Sequence, residues 1–98
     1  MITIQEIHNI FLKCSSVSID TRKIEKDSLF VAIKGDNFDA NTFAEEALRK
    51  GALFVIIDNN DYYIDERTML VSNSLGMLQE LAKYHRRYLN LPIIALTG

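Results

Sequence analysis

The stretch LFVAIKGDNFDANTFAEEALRKGALFVII, residues 29–57, carries the plan of the fold. It opens and closes on apolar runs, LFVAI and LFVII, in which no polar residue alternates with the apolar ones. Such runs read as strands covered on both faces. The segment between them starts as a loop, KGDNFDAN at 34–41, rich in the turn formers Gly, Asp and Asn. A helix follows. Thr42 and Glu45 have the spacing of a capping box, Phe43, Ala44, Ala47 and Leu48 make one apolar face, and Gly51 suits the position just past a helix end.

The same grammar extends outward. Upstream, TIQEIHNIFLK predicts a helix over 4–13, with Thr3 and Glu6 as a capping box and Ile4, Ile7, Ile10 and Phe11 at helical spacing. His8 reads as a surface residue of that helix. SVSI at 16–19 predicts a short strand that ends in Asp20-Thr21-Arg22. Downstream come a polar connection at 59–67, a short strand MLV at 69–71, and a long helix from a Ser74 cap to about Leu89. Helices that alternate with continuous apolar strands predict an α/β fold: a small, mostly parallel or mixed sheet of about four to five strands flanked by helices.

The final eight residues, LPIIALTG, read as a further buried strand over 93–96 that runs into a turn at Thr97-Gly98. Pro92 suits only the start or edge of a strand. A natural C-terminus is usually polar and frayed. The expected division is therefore a domain over 1–90 and, at 91–98, the first strand of another.

Composition narrows the function classes. The 98 residues are 48% hydrophobic and 24% charged, with a net charge of −2. No global basic field points to nucleic acid or an anionic membrane. No signal-peptide pattern opens the chain, and no apolar run approaches the roughly 20 residues of a membrane span; a cytoplasmic protein is expected. The single Cys14 cannot form an internal disulfide, which suits a reducing compartment. It has no neighbouring His or helix N-terminus to activate it. Two histidines and one cysteine, far apart, give no metal-ligand spacing.

Ligands of open α/β sheets bind at loops beyond the strand ends. Two such loops hold functional side chains: Thr21 and Arg22 after the first strand, and Lys34, Gly35, Asn37, Phe38, Asp39 and Asn41 after the second. They offer cations for phosphate, amides for a base edge and an aromatic face for a ring, a set that suits a nucleoside diphosphate. Turn chemistry alone explains Gly, Asp and Asn equally, so two solvated turns are the simpler reading of composition. His85-Arg86-Arg87 sits near a helix C-terminus, where basic residues complement the helix dipole. No catalytic triad or metal cluster is legible.

These residues also carry a resemblance. SIDTRKIEKDSLFVAIKGDNFDANTFAEEALRKGALFVIID resembles the N-terminal domain of the Mur ligases: a strand ending in Asp-Ser-Arg, a Gly-Asp-Leu-Phe-Val-Ala-like strand, a Lys-Gly…Asp-Gly loop, a helix and a Gly-Ala-Val-Val-like strand. LQELAKYHRRYLNLPIIALTG is similar to the approach to the family's ATP loop, Thr-Gly-x-Asn-Gly-Lys-Thr. Thr97 and Gly98 would be the start of that loop. The sequence departs from the pattern at Thr21 for Ser, at Lys26-Asp27 for a Pro-Gly region, at Ser28 for Gly, and at Ala40 for Gly. If position 40 requires a positive φ, alanine there is strained.

The resemblance implies part of an ATP-dependent amide-forming ligase of peptidoglycan synthesis, and is strongest to the member that adds D-alanyl-D-alanine to UDP-MurNAc-tripeptide. The amino-acid-adding member for diaminopimelate or lysine is the nearest alternative. ATP and Mg²⁺ would belong to the central and C-terminal domains of the same chain, with no cofactor, metal or catalytic residue in this piece. This piece would grip the UDP end of the UDP-MurNAc-peptide: Thr21 and Asn37 near uracil, Phe38 against base or ribose, Arg22 and Lys34 toward the diphosphate, with Gly35, Asp39 and Asn41 in the loop. A stand-alone nucleotide-binding or interaction module is the reading from another class.

Overall fold

The computed structural model describes the backbone of residues 2–97 and the side chains of residues 2–89. Strands β1 (Val17–Ser18), β2 (Leu29–Val31), β3 (Phe54–Ile57) and β4 (Thr68–Leu70) form one sheet in the order β1-β2-β3-β4, every pair parallel. Helices α1 (Ile4–Lys13) and α3 (Ser74–Thr97) lie on one face and α2 (Ala44–Arg49) on the other. The unalternated apolar runs explain this layering. Phe30, Ala32, Val55 and Ile57 point toward α2, whereas Leu29, Val31 and Ile56 point toward α1 and α3, and all seven are fully buried. Both faces of the two central strands thus need apolar side chains, as parallel sheets require. On the α2 side the covering residues are small, Ala44 and Ala47 among them, so the helix can approach the sheet closely.

Several expected features recur. The Thr3–Glu6 capping box is complete, with Glu6 N–H donating to Thr3 Oγ1 at 3.2 Å and Thr3 N–H donating to Glu6 Oε1 at 3.2 Å. Gly51 follows α2 with φ +118°, a conformation that L side chains rarely adopt. Asp27 has φ 62°, and is the one non-glycine with positive φ among the described residues. It lies in the stretch where the family pattern has Pro-Gly, and aspartate tolerates this region better than most residues. Ala40 has no positive φ and is free of the strain considered for it.

Two caps differ from expectation. Residues 40–43 already form a tight helical turn capped by Asp39, whose Oδ1 accepts from Asn41 N–H at 2.9 Å. Thr42 therefore donates its hydroxyl to Asp39 O and does not cap α2, and no Thr42–Glu45 box forms. Asn73, one residue before Ser74, caps α3 by accepting from Gly76 N–H at 2.7 Å. Ser74 is the first helical residue, and its N–H donates to Asp58. The backbone expected as a strand over 93–96 continues as α3 to Thr97. A helix satisfies its own backbone hydrogen bonds, whereas a strand there would need a neighbouring strand. The side chains of 91–98, Thr97 and Gly98 included, lie outside the described residues, as does their expected role as the start of another domain.

His8 is not a surface residue: it is 3% exposed, between α1 and α3. Its Nε2 lies 3.1 Å from Nδ1 of His85, one ring donating to the other, and the Tyr84 and Tyr88 rings stand 4.8 and 4.7 Å away. Burial, and secondarily His85, hold the His8 pKa below its ordinary 6.5. The folded chain then binds fewer protons than the unfolded one as pH falls past that value, so stability declines with it. Asp20, Asp39 and Asp65 have pKa values depressed below 3.8; their stabilisation is present above that value and is lost only at lower pH, in a separate window. The melting temperature is therefore expected to fall between about pH 7 and about pH 5. In His8→Phe that fall should be much smaller. Equal slopes in the two proteins would remove His8 as the cause.

Candidate functional site

A cavity of about 510 Å³ opens on the α2 side of the sheet, beyond the C-terminal ends of β1 and β2. Phe30, fully buried on β2, forms its floor. Thr21 and Arg22 form one wall, and Phe38, Ala40 and Phe43 the other. Phe38 is 54% exposed and stacks on Phe43 with centroids 5.7 Å apart and an interplanar angle of 28°. The opening thus presents an aromatic plate beside a cation.

The cation is held by its own neighbour. Asp20 Oδ1 accepts from Arg22 N–H at 2.9 Å and caps the turn at Thr21–Lys23. The Arg22 guanidinium folds back, with Nη2 donating to Asp20 Oδ2 at 2.8 Å and Nε to both carboxylate oxygens at 3.1 Å. These hydrogen bonds pull the Asp20 pKa down to about 2. Asp65-Glu66-Arg67 repeats the arrangement: Arg67 N–H donates to Asp65 Oδ1 at 2.8 Å and Nη2 to Oδ2 at 2.7 Å. Asp-x-Arg is therefore a local unit that the backbone turn makes by itself. The Arg22 side chain stays 84% exposed, which leaves guanidinium N–H groups for an anion. Lys50 Nζ donates to Thr21 O at 3.0 Å and ties the turn to the end of α2.

The second loop is a closed hairpin. Ile33 O accepts from Ala40 N–H at 3.2 Å and Phe38 O from Gly35 N–H at 2.6 Å, with Lys34 bridged to Asp39. This closure separates residues that sequence had grouped. Phe38 lines the first cavity, whereas Lys34 and Gly35 line another of about 330 Å³ with Asp36, Asp58 and Asn73. Arg22 and Lys34 thus do not share one cavity. Asn37 is exposed on the loop.

Asp39 and Asn41 are structural. Asn41 is 1% exposed; its Nδ2 donates to Asp39 Oδ1 at 2.6 Å and to Asp58 Oδ1 at 2.8 Å, and its Oδ1 accepts from Asp58 N–H at 3.0 Å. No amide atom is left to read a base. The hydrogen bonds from Asn41, and then the charge of Lys34, lower the Asp39 pKa. Sequence reasoning gave no site role to Asp20, Phe30, Phe43 or Asp58. The repeated Asp-x-Arg spacing could have revealed Asp20. Cys14 donates to Ile10 O, and burial raises its pKa, which keeps the thiol protonated.

The fold has counterparts among known proteins. Residues 13–86 match the Mur ligase family, catalytic domain. The chain belongs to the Mur ligase family. It is 33% identical over 87 residues to the UDP-N-acetylmuramoyl-tripeptide–D-alanyl-D-alanine ligase of Haemophilus influenzae, covering 89% of this chain and 19% of that protein. It is 35% identical over 88 residues to the UDP-N-acetylmuramoyl-L-alanyl-D-glutamate–2,6-diaminopimelate ligase of Rickettsia montanensis, covering 88% and 18%. The crystal structure of MurF ligase from Thermotoga maritima in complex with ADP superposes with a TM-score of 0.66 at 31% identity, over 76% of this chain and 17% of that one. D-Alanyl-D-alanine ligases dominate the matches. The chain spans about a fifth of the length of the curated relatives it matches.

Proposed function

We propose that this chain is the N-terminal, substrate-gripping domain of a cytoplasmic ligase of peptidoglycan synthesis, one that adds D-alanyl-D-alanine to UDP-MurNAc-tripeptide. The cavity at the ends of β1 and β2 holds the UDP end of that precursor. The observation that carries this reading is the plate of Phe38 on Phe43 facing the Thr21-Arg22 turn across one opening. An aromatic face takes a pyrimidine ring, and free guanidinium N–H groups donate to phosphate oxygens. Arg22, which shares the opening with Phe38, is the nearer cation; Lys34 serves a ligand that continues past the hairpin. Asn41, buried and bonded to Asp39 and Asp58, holds the loop.

Bond formation takes place elsewhere in this reading. The grip holds a remote part of the substrate so that its reacting carboxylate is positioned in the other domains. ATP and Mg²⁺ belong, in this reading, to the central and C-terminal domains of the ligase. Among the described residues no glycine-rich loop opens onto a helix N-terminus to cradle ATP phosphates. A diaminopimelate-adding ligase would use the same grip, and the Rickettsia relative favours keeping it as the second reading.

NMR titration tests the proposal. UDP should shift the amides of 21–23 and 35–43 with a dissociation constant near the millimolar range, about −4 kcal/mol. ATP should shift them less. Stronger shifts with ATP, or none with UDP at several times that concentration, would sink it.

A further inference from the structure

We propose that Asp58 is a positioning residue of the UDP cavity, an inference that rests on the reading just given. Asp58 follows β3 and does not line that cavity. It acts through Asn41. Its Oδ1 accepts from Asn41 Nδ2 at 2.8 Å, and its backbone N–H donates to Asn41 Oδ1 at 3.0 Å. Its other oxygen, Oδ2, accepts from Ser74 N–H at 3.0 Å, in the first turn of α3. One carboxylate therefore joins three separate segments: the end of β3, the turn at 40–43 and the start of α3.

The join matters for the cavity because of what the turn carries. Ala40 and Phe43 bracket Asn41, and both line the opening; Phe38 stacks on Phe43. Ala40 holds the start of the turn through its burial and its N–H bond to Ile33 O. The segment is a single helical turn, and Asn41 is its buried polar residue. Both Asn41 Nδ2 contacts go to carboxylates, Asp39 within the loop and Asp58 outside it. Asp39 moves with the loop, so the side-chain contact that fixes the turn to the sheet is the one to Asp58. Losing it removes one of the three hydrogen bonds of a buried amide and loosens the turn that carries the aromatic wall. The chemistry also requires a carboxylate. Each Asp58 oxygen faces an N–H donor, and an amide in its place would set one of its own donors against Asn41 or Ser74.

The experiment is UDP titration of the whole chain in four variants, at a temperature where circular dichroism shows each folded. Asp58→Asn and Asn41→Ala should each weaken UDP at least about fivefold, and the double variant should lose less than the product of the two, because both substitutions act on the Asn41–Asp58 pair. Thr3→Ala removes the α1 capping box, far from the cavity. It should lower the melting temperature and leave UDP affinity within about twofold, which separates positioning from general loss of stability. If Asp58→Asn does not fold, Asn41→Ser takes its place; a hydroxyl replaces only part of the amide's contacts. Wild-type affinity in Asp58→Asn and Asn41→Ala would overturn the positioning role alone. So would additive losses that track melting temperature as Thr3→Ala does. Absence of UDP binding by the unaltered chain would overturn the proposed function, and this inference with it.

Discussion

Phe30→Ala should cost about 3–5 kcal/mol of unfolding free energy, the range for truncating a buried aromatic. Phe30 is fully buried on β2, where it packs in one cluster with Val55, Ile57, Ala44 and Ala47. The small residues around it cannot grow to fill the space, so a large part of the cavity left behind should persist. Domain stabilities run near 0.05–0.15 kcal/mol per residue, or about 5–15 kcal/mol for a chain of this size, so the loss is a large share of the total. The thermal midpoint should drop by roughly 12 °C or more. Phe30 is also the floor of the candidate cavity. Phe30→Leu should retain more of the stability while deepening that floor, so UDP affinity should fall further than stability does. A midpoint shift for Phe30→Ala below about 4 °C would mean that the β2 core is not packed as described.

The fold was legible where the pattern is local or unbroken. The two apolar runs around 29–57 became adjacent parallel strands because apolar side chains on both faces leave few other solutions. The Thr3–Glu6 box formed because no competing cap lies nearby. Caps were misassigned where capping residues crowd. Asp39, Asn41 and Thr42 can all start a helix, as can Asn73 and Ser74. Which one does so depends on Asp58, which draws both Asn41 and Ser74 from a distance in sequence. His8 shows the same limit. Its spacing marks a helix, but only the docking of α3 decides that its side of α1 is covered.

The candidate site was legible as turns and illegible as a cavity. Thr21, Arg22 and Phe38 stand out in sequence because they interrupt turn-forming residues after apolar runs, and all three line one opening. Phe30 and Phe43 look like ordinary core residues until the chain folds them toward that opening. Lys34 and Phe38 are four positions apart, yet the hairpin closed by Ile33 and Ala40 separates their cavities. That backbone pairing has no signature in residue type. Asn41, chosen as a loop former, turned out to be buried and fully occupied by Asp39 and Asp58.

Phe38→Ala should separate binding from folding more sharply than any core change. The ring is 54% exposed and its described aromatic partner is Phe43, so its loss should cost at most about 1.5 kcal/mol of stability, the upper end for an aromatic pair. A base stacked on it would lose about 1–3 kcal/mol. That corresponds to a fall in UDP affinity of roughly 5- to 150-fold. The loss should belong to the base. Uridine should weaken by a similar factor, whereas pyrophosphate, which has no ring to stack, should bind the variant as it binds the unaltered chain. Phe38→Tyr keeps the aromatic face and should retain UDP affinity within a few-fold. An undiminished affinity for uridine in Phe38→Ala would show that the exposed ring is no platform for the base, and the aromatic plate would then have to be explained by contact with another part of the parent protein.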